Sequence, residues 1–373
     1  MPTSFDISLR TYTDDHATRL PSDFGARQDM AGFEPTYRNI VDYIVRITHR
    51  IWEGGTPGYE SPLEGRDVEY ILDTYHPRSR VFDDYGLQIG NEKIVADTHH
   101  TTGAFPDIEL IADEVVWAGD AEVGFHTSHR TRIRGTNAAP SKYGPATGRG
   151  IDVLVIANCV AKDNVIFLEH VLYNTSGMLT QLGLDVGEEA KRLAADPPPG
   201  WPRPRQVWDE LRRSTAPSRP LHESELVDGF DPDRFARESV TALLTGNGAE
   251  TRARDLTFEG TTNRQGDLDA LLTHAEELRT AFPDLTPQVD EVYWMGNEAD
   301  GFEIATRWSA DVRHTGSEAG GGLLGPATGA PMQLWGLTQQ RVTRTNDGWR
   351  ATDEWMLINE FDLVMQGARA ASA

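Results

Sequence analysis

Two halves of the 373-residue chain repeat one another. Ala104-Phe105-Pro106-Asp107 recurs as Ala281-Phe282-Pro283-Asp284, and Asp113-Glu114-Val115-Val116-Trp117 recurs as Asp290-Glu291-Val292-Tyr293-Trp294, both at an offset of 177. Gly124-Phe125 returns as Gly301-Phe302, and Gly144-Pro145-Ala146-Thr147-Gly148 returns at 325–329 with an offset of 181, so the second copy holds four more residues in between. Further on, Glu169-His170-Val171-Leu172-Tyr173-Asn174 aligns with Glu354-Trp355-Met356-Leu357-Ile358-Asn359 at an offset of 185. Matches that keep order and spacing over so long a period describe a duplicated domain, since solenoid repeats are far shorter.

Composition sets the boundaries. Residues 1–34 are polar and aperiodic and read as an arm. The first domain, 35–184, opens on a helix whose apolar residues (Ile40, Val41, Ile44, Ile47, Ile51) recur at three- and four-residue steps. Residues 185–230 form a Pro-rich, semi-rigid linker, 231–366 the second domain and 367–373 a small-residue tail. Within each copy the pattern predicts an opening helix, a short segment, a second helix stopping at Phe-Pro-Asp, and then strands. The last two strands read as hairpins, closed at Lys162-Asp163-Asn164 and at Asn346-Asp347-Gly348. Helices followed by a curled antiparallel sheet make an α+β cone with helices on its concave side.

Charge and composition exclude several functions. With 35 Lys+Arg against 58 Asp+Glu the formal charge is −23, which repels nucleic acid and anionic membrane surfaces. No apolar run is long enough to span a bilayer and the N-terminus lacks an export signal, so the expectation is a cytoplasmic protein. The single cysteine, Cys159, forms no internal disulfide, and no metal-ligand spacing is present. Gly320–Gly325 fits a dinucleotide-binding glycine pattern but precedes a turn rather than opening a helix after a strand.

Phe105-Pro106-Asp107, the Gly144–Gly148 turn, Glu169 and Gln181-Leu182-Gly183, with Phe282-Pro283-Asp284, the Gly325–Gly329 turn and Glu354, resemble the SnoaL-like polyketide cyclase family of the nuclear transport factor 2-like fold. The resemblance covers both copies. It implies aldol-type acid/base chemistry without metal or cofactor, on a small, largely apolar, oxygenated and often aromatic molecule. It further implies a carboxylate on the last strand and a helper side chain on the strand before. Counting back from Gln181-Leu182-Gly183 puts the carboxylate position at Val171, its second-copy equivalent at Met356, and the helper near Ala157. None of these exchanges protons, so an enzyme built on this chain has moved its catalytic groups. The fold also hosts plain binding proteins, so a hydrophobic ligand held without turnover is the alternative. Domains of this fold commonly pair through their sheets, so the duplication reads as an intramolecular pseudo-dimer, with homo-oligomers left open.

Candidate catalytic residues follow from the last strand. Glu169 is a general base if it lines an apolar cone, or a salt-bridged residue if it does not. His170 and Tyr173 stand where the second copy has Trp355 and Ile358, which favours the first copy as the active one. They are three residues apart, so an ideal strand points them to opposite sides. In the strand from Phe125, one face carries Thr127, His129, Thr131 and Ile133, the mixture of a cavity wall, and makes His129 a second candidate histidine; the other carries His126, Ser128, Arg130 and Arg132. Candidate substrate contacts are Asp83, aligned with Glu259, together with Thr127, Tyr43, Trp52 and Asn174.

Overall fold

A computed structural model describes residues 40–53, 66–120, 124–162, 165–197, 208, 229–316 and 324–371. The expected arm, most of the linker, the Asp163-Asn164 turn and residues 320–323 of the glycine-rich loop lie outside the described residues. The chain forms two compact units. One holds the described residues to Asp83 and Leu87–Val171, the other Asp84–Gly86 and the described residues from Leu172 onward. The segment 172–184, expected with the first domain, therefore falls in the second unit.

The first unit opens with helix α1 (Ile40–Trp52), whose periodic Ile40, Val41, Ile44, Ile47 and Ile51 are all buried. Strands β1 (Tyr75–Asp83) and β2 (Gly86–Ile89) precede helix α2 (Asn91–Ala104), and β3 (Glu109–Asp120), β4 (Gly124–Thr136), β5 (Gly150–Lys162) and β6 (Val165–Leu172) follow. They form one sheet in the order β2-β1-β6-β5-β4-β3. Helix α1 packs on β3, and α2 on β1.

The second unit begins with α3 (Thr175–Leu182) and α4 (Val186–Ala195) and then repeats the plan. Helix α5 (Pro232–Thr245) starts on an Asp231 cap with Pro232 in its first turn and stops at Gly246 in the left-handed region. After β7 (Arg252–Gly260) and β8 (Arg264–Gly266) come α6 (Leu268–Ala281), β9 (Gln288–Asn297), β10 (Gly301–Arg313), β11 (Pro331–Thr345), β12 (Gly348–Ile358) and α7 (Glu360–Ala371). The strand order β8-β7-β12-β11-β10-β9 is that of the first sheet.

Two expectations are corrected here. The sheets are mixed rather than antiparallel, because the short segment before the second helix is itself a strand: β1 pairs parallel with β6, and β7 with β12. Its sequence, YHPRSRVFD, hides this behind a proline and three charged side chains. The expected linker also opens as a helix, α4, which buries Val186, Ala190 and Leu193 and packs on α7.

The repeated motifs have local physical causes. Asp107 accepts a hydrogen bond from the Thr136 backbone N–H at 2.6 Å, and Asp284 accepts one from Arg313 at 3.0 Å, so each Phe-Pro-Asp ties the end of a helix to the end of the long strand. Gly119 and Gly296, with φ of 98° and 112°, face Gly124 and Gly301 across tight hairpins where a Cβ would strike a backbone oxygen. Register shifts at Ala112/Glu114 in β3 and β4 and at Arg307/Trp308 in β9 and β10 mark bulges, which bend the strands. Among the described residues no helix is long and apolar enough to cross a membrane.

Candidate active site in the first unit

Strand register decides which side chains meet. Thr127 lies opposite Cys159 and His129 opposite Ala157, so Thr127, His129 and Cys159 share one face of the sheet, as the alternation predicted for the first two. On the neighbouring strands Val81 lies beside Glu169, and alternation sets Asp83 on the same face. Tyr75, at the start of β1, donates its hydroxyl to Glu169 Oε2 at 2.8 Å. The Cys159 thiol donates to the same carboxyl. Tyr43, wholly buried on α1, stands close enough to Cys159 and Tyr70 for their charges to act on it. Glu169 is thus hydrogen-bonded to Tyr75 and Cys159, with Asp83 near enough to Glu169, and Tyr43 near enough to Cys159 and Tyr70, for charge to act between them.

Burial sets their protonation. Desolvation pushes the Glu169 carboxyl up to about 7; the nearby Asp83 charge adds to this, and the Tyr75 hydrogen bond opposes it. Asp83, 2% exposed, is pushed up to about 6 by burial, against the opposing effect of the Gln88 amide that donates to its Oδ2 at 2.5 Å. Burial raises the Cys159 thiol, with Glu169 adding to the effect, so it stays a neutral donor. Tyr43 is likewise raised, first by burial and then by Tyr70 and Cys159. Perturbed groups in one cluster are a mark of functional sites.

The second unit builds the same positions differently. At offsets of 177, 181 and 185, Tyr75 becomes Arg252, Cys159 becomes Gln340 and Glu169 becomes Glu354. The pairing confirms two of these: Ala351 beside Arg252 answers Ile166 beside Tyr75, and Phe258 beside Glu354 answers Val81 beside Glu169. Arg252 grips Glu354 through two hydrogen bonds of 2.8 Å, with neither side chain exposed at all. Gln340 donates to Glu354 at 2.8 Å and to Ser239 on α5 at 3.0 Å. The register also puts Gly260, not Glu259, in the place of Asp83, so the expected Asp83–Glu259 match is off by one and the second acid is missing. Trp308, fully buried against Gly336 and donating to Thr338 Oγ1 at 3.1 Å, stands where the first unit has Thr131. The second cone therefore has a neutralised carboxylate and an indole in its interior.

The remaining candidates have other positions. His170 lies beside Phe82, one residue out of step with Glu169, and its ring stacks on Phe82 with centroids 4.8 Å apart on the opposite face of the sheet. Tyr173 follows the end of β6, where its backbone N–H donates to Asp84 Oδ2 at 2.6 Å. Trp52 is half-buried in the last turn of α1, with its carbonyl accepting from Arg66. Asn174, in the left-handed region at φ 51°, caps α3 by accepting from Gly177 at 3.3 Å and also accepts from the Thr262 N–H at 2.8 Å. That geometry accounts for Asn174 as a structural residue. Asn174→Ala is expected to cost about 1–2 kcal/mol, read as a lower urea midpoint with unchanged slope; an unchanged midpoint would contradict the capping role.

So the structure brings Glu169, Asp83 and Tyr43 into one cluster, places Thr127 and His129 on the same sheet face, and leaves His170 on the other. Tyr75, Tyr70, Cys159 and Gln88 escape the sequence reading. For Tyr75 and Cys159 a signal existed: extending the repeat offsets sets them against Arg252 and Gln340, an ion pair's worth of difference around one shared glutamate. Among the described residues no group of three or more side chains is arranged to hold a metal ion.

Sheet order, the parallel pair beside the last strand and the helices packed on the sheet make each unit an α+β cone of one shared plan. No protein-family model matches the chain, and no curated protein does. Solved structures similar to part of it include a protein of Jannaschia sp. CCS1 assigned as a SnoaL-like polyketide cyclase, at 17% identity and a TM-score of 0.32 over 38% of this chain and 90% of that one. TsrD of Streptomyces laurentii matches at 20% identity and a TM-score of 0.31 over 39% and 94% of the two chains. IdmH of Streptomyces antibioticus, assigned as a polyketide cyclase, matches at 21% identity and a TM-score of 0.28 over 32% and 88%.

Proposed function

We propose that the first unit is a cofactor-independent acid/base catalyst acting on a small, hydrophobic, oxygenated and aromatic or polyketide-like molecule, in an aldol or retro-aldol sense, as a cyclase or lyase. The observation that carries this is the buried Glu169 carboxyl, held between the neutral donors Tyr75 and Cys159 and poised to change protonation near pH 7. In the ionised form Glu169 removes a proton from the carbon next to a substrate carbonyl and becomes the neutral acid. The electron pair left behind becomes an enolate, whose oxygen is stabilised by a phenol such as Tyr75. The enolate attacks a second carbonyl, and the resulting alkoxide takes a proton back from Glu169, so no net proton is consumed. Glu169 and Cys159 stand one pleat from Val171 and Ala157, where the resemblance sets the carboxylate and its helper. That shift would explain inert residues at the expected positions. An apolar Val171 is also what a binding protein would carry, which makes ligand capture without turnover the second reading.

The test is solvent deuterium exchange at the α-carbon of aryl ketones, followed by NMR, which detects the first step whatever the natural product. Glu169→Gln is expected to lower the exchange rate by about 10²–10⁴-fold, and Tyr75→Phe by about 10²-fold. Binding of such ketones without exchange in the wild type would favour the binding protein. Exchange that survives Glu169→Gln would remove Glu169 from the mechanism.

A further inference from the structure

The two cones treat the same glutamate in opposite ways. In the second, Arg252 supplies a full positive charge to Glu354. In the first, the described titratable groups that act on Glu169 are neutral or acidic: the Tyr75 hydroxyl and the nearby Asp83 carboxyl from β1, and the Cys159 thiol from β5 with Tyr43 of α1 behind it. The lysines whose charge reaches Asp83, Lys93 and Lys142, are not among the groups that shift Glu169. His129 shares the sheet face but sits two strands away, on β4. A carboxylate brought to this place would meet one carboxyl directly and a second beside it, in surroundings too buried for water to screen the repulsion. A carbonyl or hydroxyl instead exchanges hydrogen bonds with the phenol and with either form of the acid.

We propose that the first cone receives a ligand presenting an uncharged carbonyl or hydroxyl to Glu169, and rejects ligands that present a carboxylate there. This rests on the first unit being the working site, but it concerns binding and not turnover. Two probes with the same ring separate charge from shape: 2-naphthol and 2-naphthoate, each titrated into the full chain at pH 7.5 with melting temperature and calorimetric heat as readouts. The wild type is expected to bind naphthol, and naphthoate at least about tenfold more weakly. In Glu169→Gln, where the repelling charge is gone, the gap is expected to narrow as naphthoate gains affinity. Because glutamine keeps the shape and removes only a buried charge, the variant is expected to fold; circular dichroism confirms this before titration. Naphthoate binding to the wild type as tightly as naphthol overturns the proposal, as does a gap unchanged in Glu169→Gln, or the absence of binding by both probes. Selective binding of naphthol with no ketone exchange would leave the charge selection standing and remove only the enzymatic reading.

Discussion

Arg252→Met is expected to destabilise the protein by about 3–5 kcal/mol, because it leaves Glu354 ionised and buried with no counter-charge. The same substitution frees the Gly248 carbonyl, which accepts from Arg252 at 3.0 Å, and leaves Gln340 as the one remaining donor to the carboxylate in this network. Urea unfolding measures the loss. The double variant Arg252→Met/Glu354→Met should regain most of it, since replacing both members of a buried ion pair with apolar groups of similar volume is often neutral or better. A single variant as stable as the wild type would mean that Glu354 does not need its arginine, and the contrast between the two cones would lose its basis.

Glu169→Gln has the opposite sign. The folded state holds the Glu169 proton more tightly than the unfolded chain does, with the carboxyl raised from 4.5 to about 7. Its favourable contribution is therefore complete below about pH 4.5 and is lost as pH rises through about 7, so stability falls across that window. The cost at higher pH is on the order of 3 kcal/mol. Asp83, raised from 3.8 to about 6, loses stability in the same direction over a lower window. Glutamine carries no charge at any of these pH values. The variant should match the wild type near pH 4.5 and exceed it in melting temperature at pH 8; under the proposed mechanism it should also lose the α-proton exchange. A residue whose removal stabilises the protein is the pattern expected where a proposed function requires a buried charge. If Glu169→Gln is no more stable than the wild type at pH 8, the carboxyl is not the desolvated group described above.

Much of the fold was legible because the repeat motifs are backbone devices. The Phe-Pro-Asp aspartates accept from strand ends, and the paired glycines allow hairpin crossings closed to any side chain. These requirements act locally and leave a local signature. Strand β1 left none, since a parallel edge-side strand with Pro77 and Arg78 exposed side by side has no clean alternation. Helix α4 was hidden by the prolines that follow it.

The site was legible only in part. Glu169 is singled out by the repeat itself, and the face of Thr127 and His129 follows from alternation along β4. Which side of β6 faces the cone does not follow from alternation alone, because the pairing of β1 with β6 fixes it. That pairing sets Glu169 beside Val81 and His170 beside Phe82. Similarly, the asymmetry between the copies was visible at His170 and Trp355 but lies more deeply at Tyr75 and Arg252, Cys159 and Gln340, and Thr131 and Trp308. These positions are spread over three strands of each sheet, and their shared environment exists only after the strands have paired.

The most direct test is a pH titration of the protein labelled with ¹³C at glutamate carboxyl carbons, followed by NMR in the wild type and in Glu169→Gln. The account predicts a glutamate resonance titrating near pH 7 in the wild type and absent from the variant. A wild type in which no glutamate titrates above the ordinary carboxylate range, or a high-titrating resonance that persists in Glu169→Gln, would contradict it.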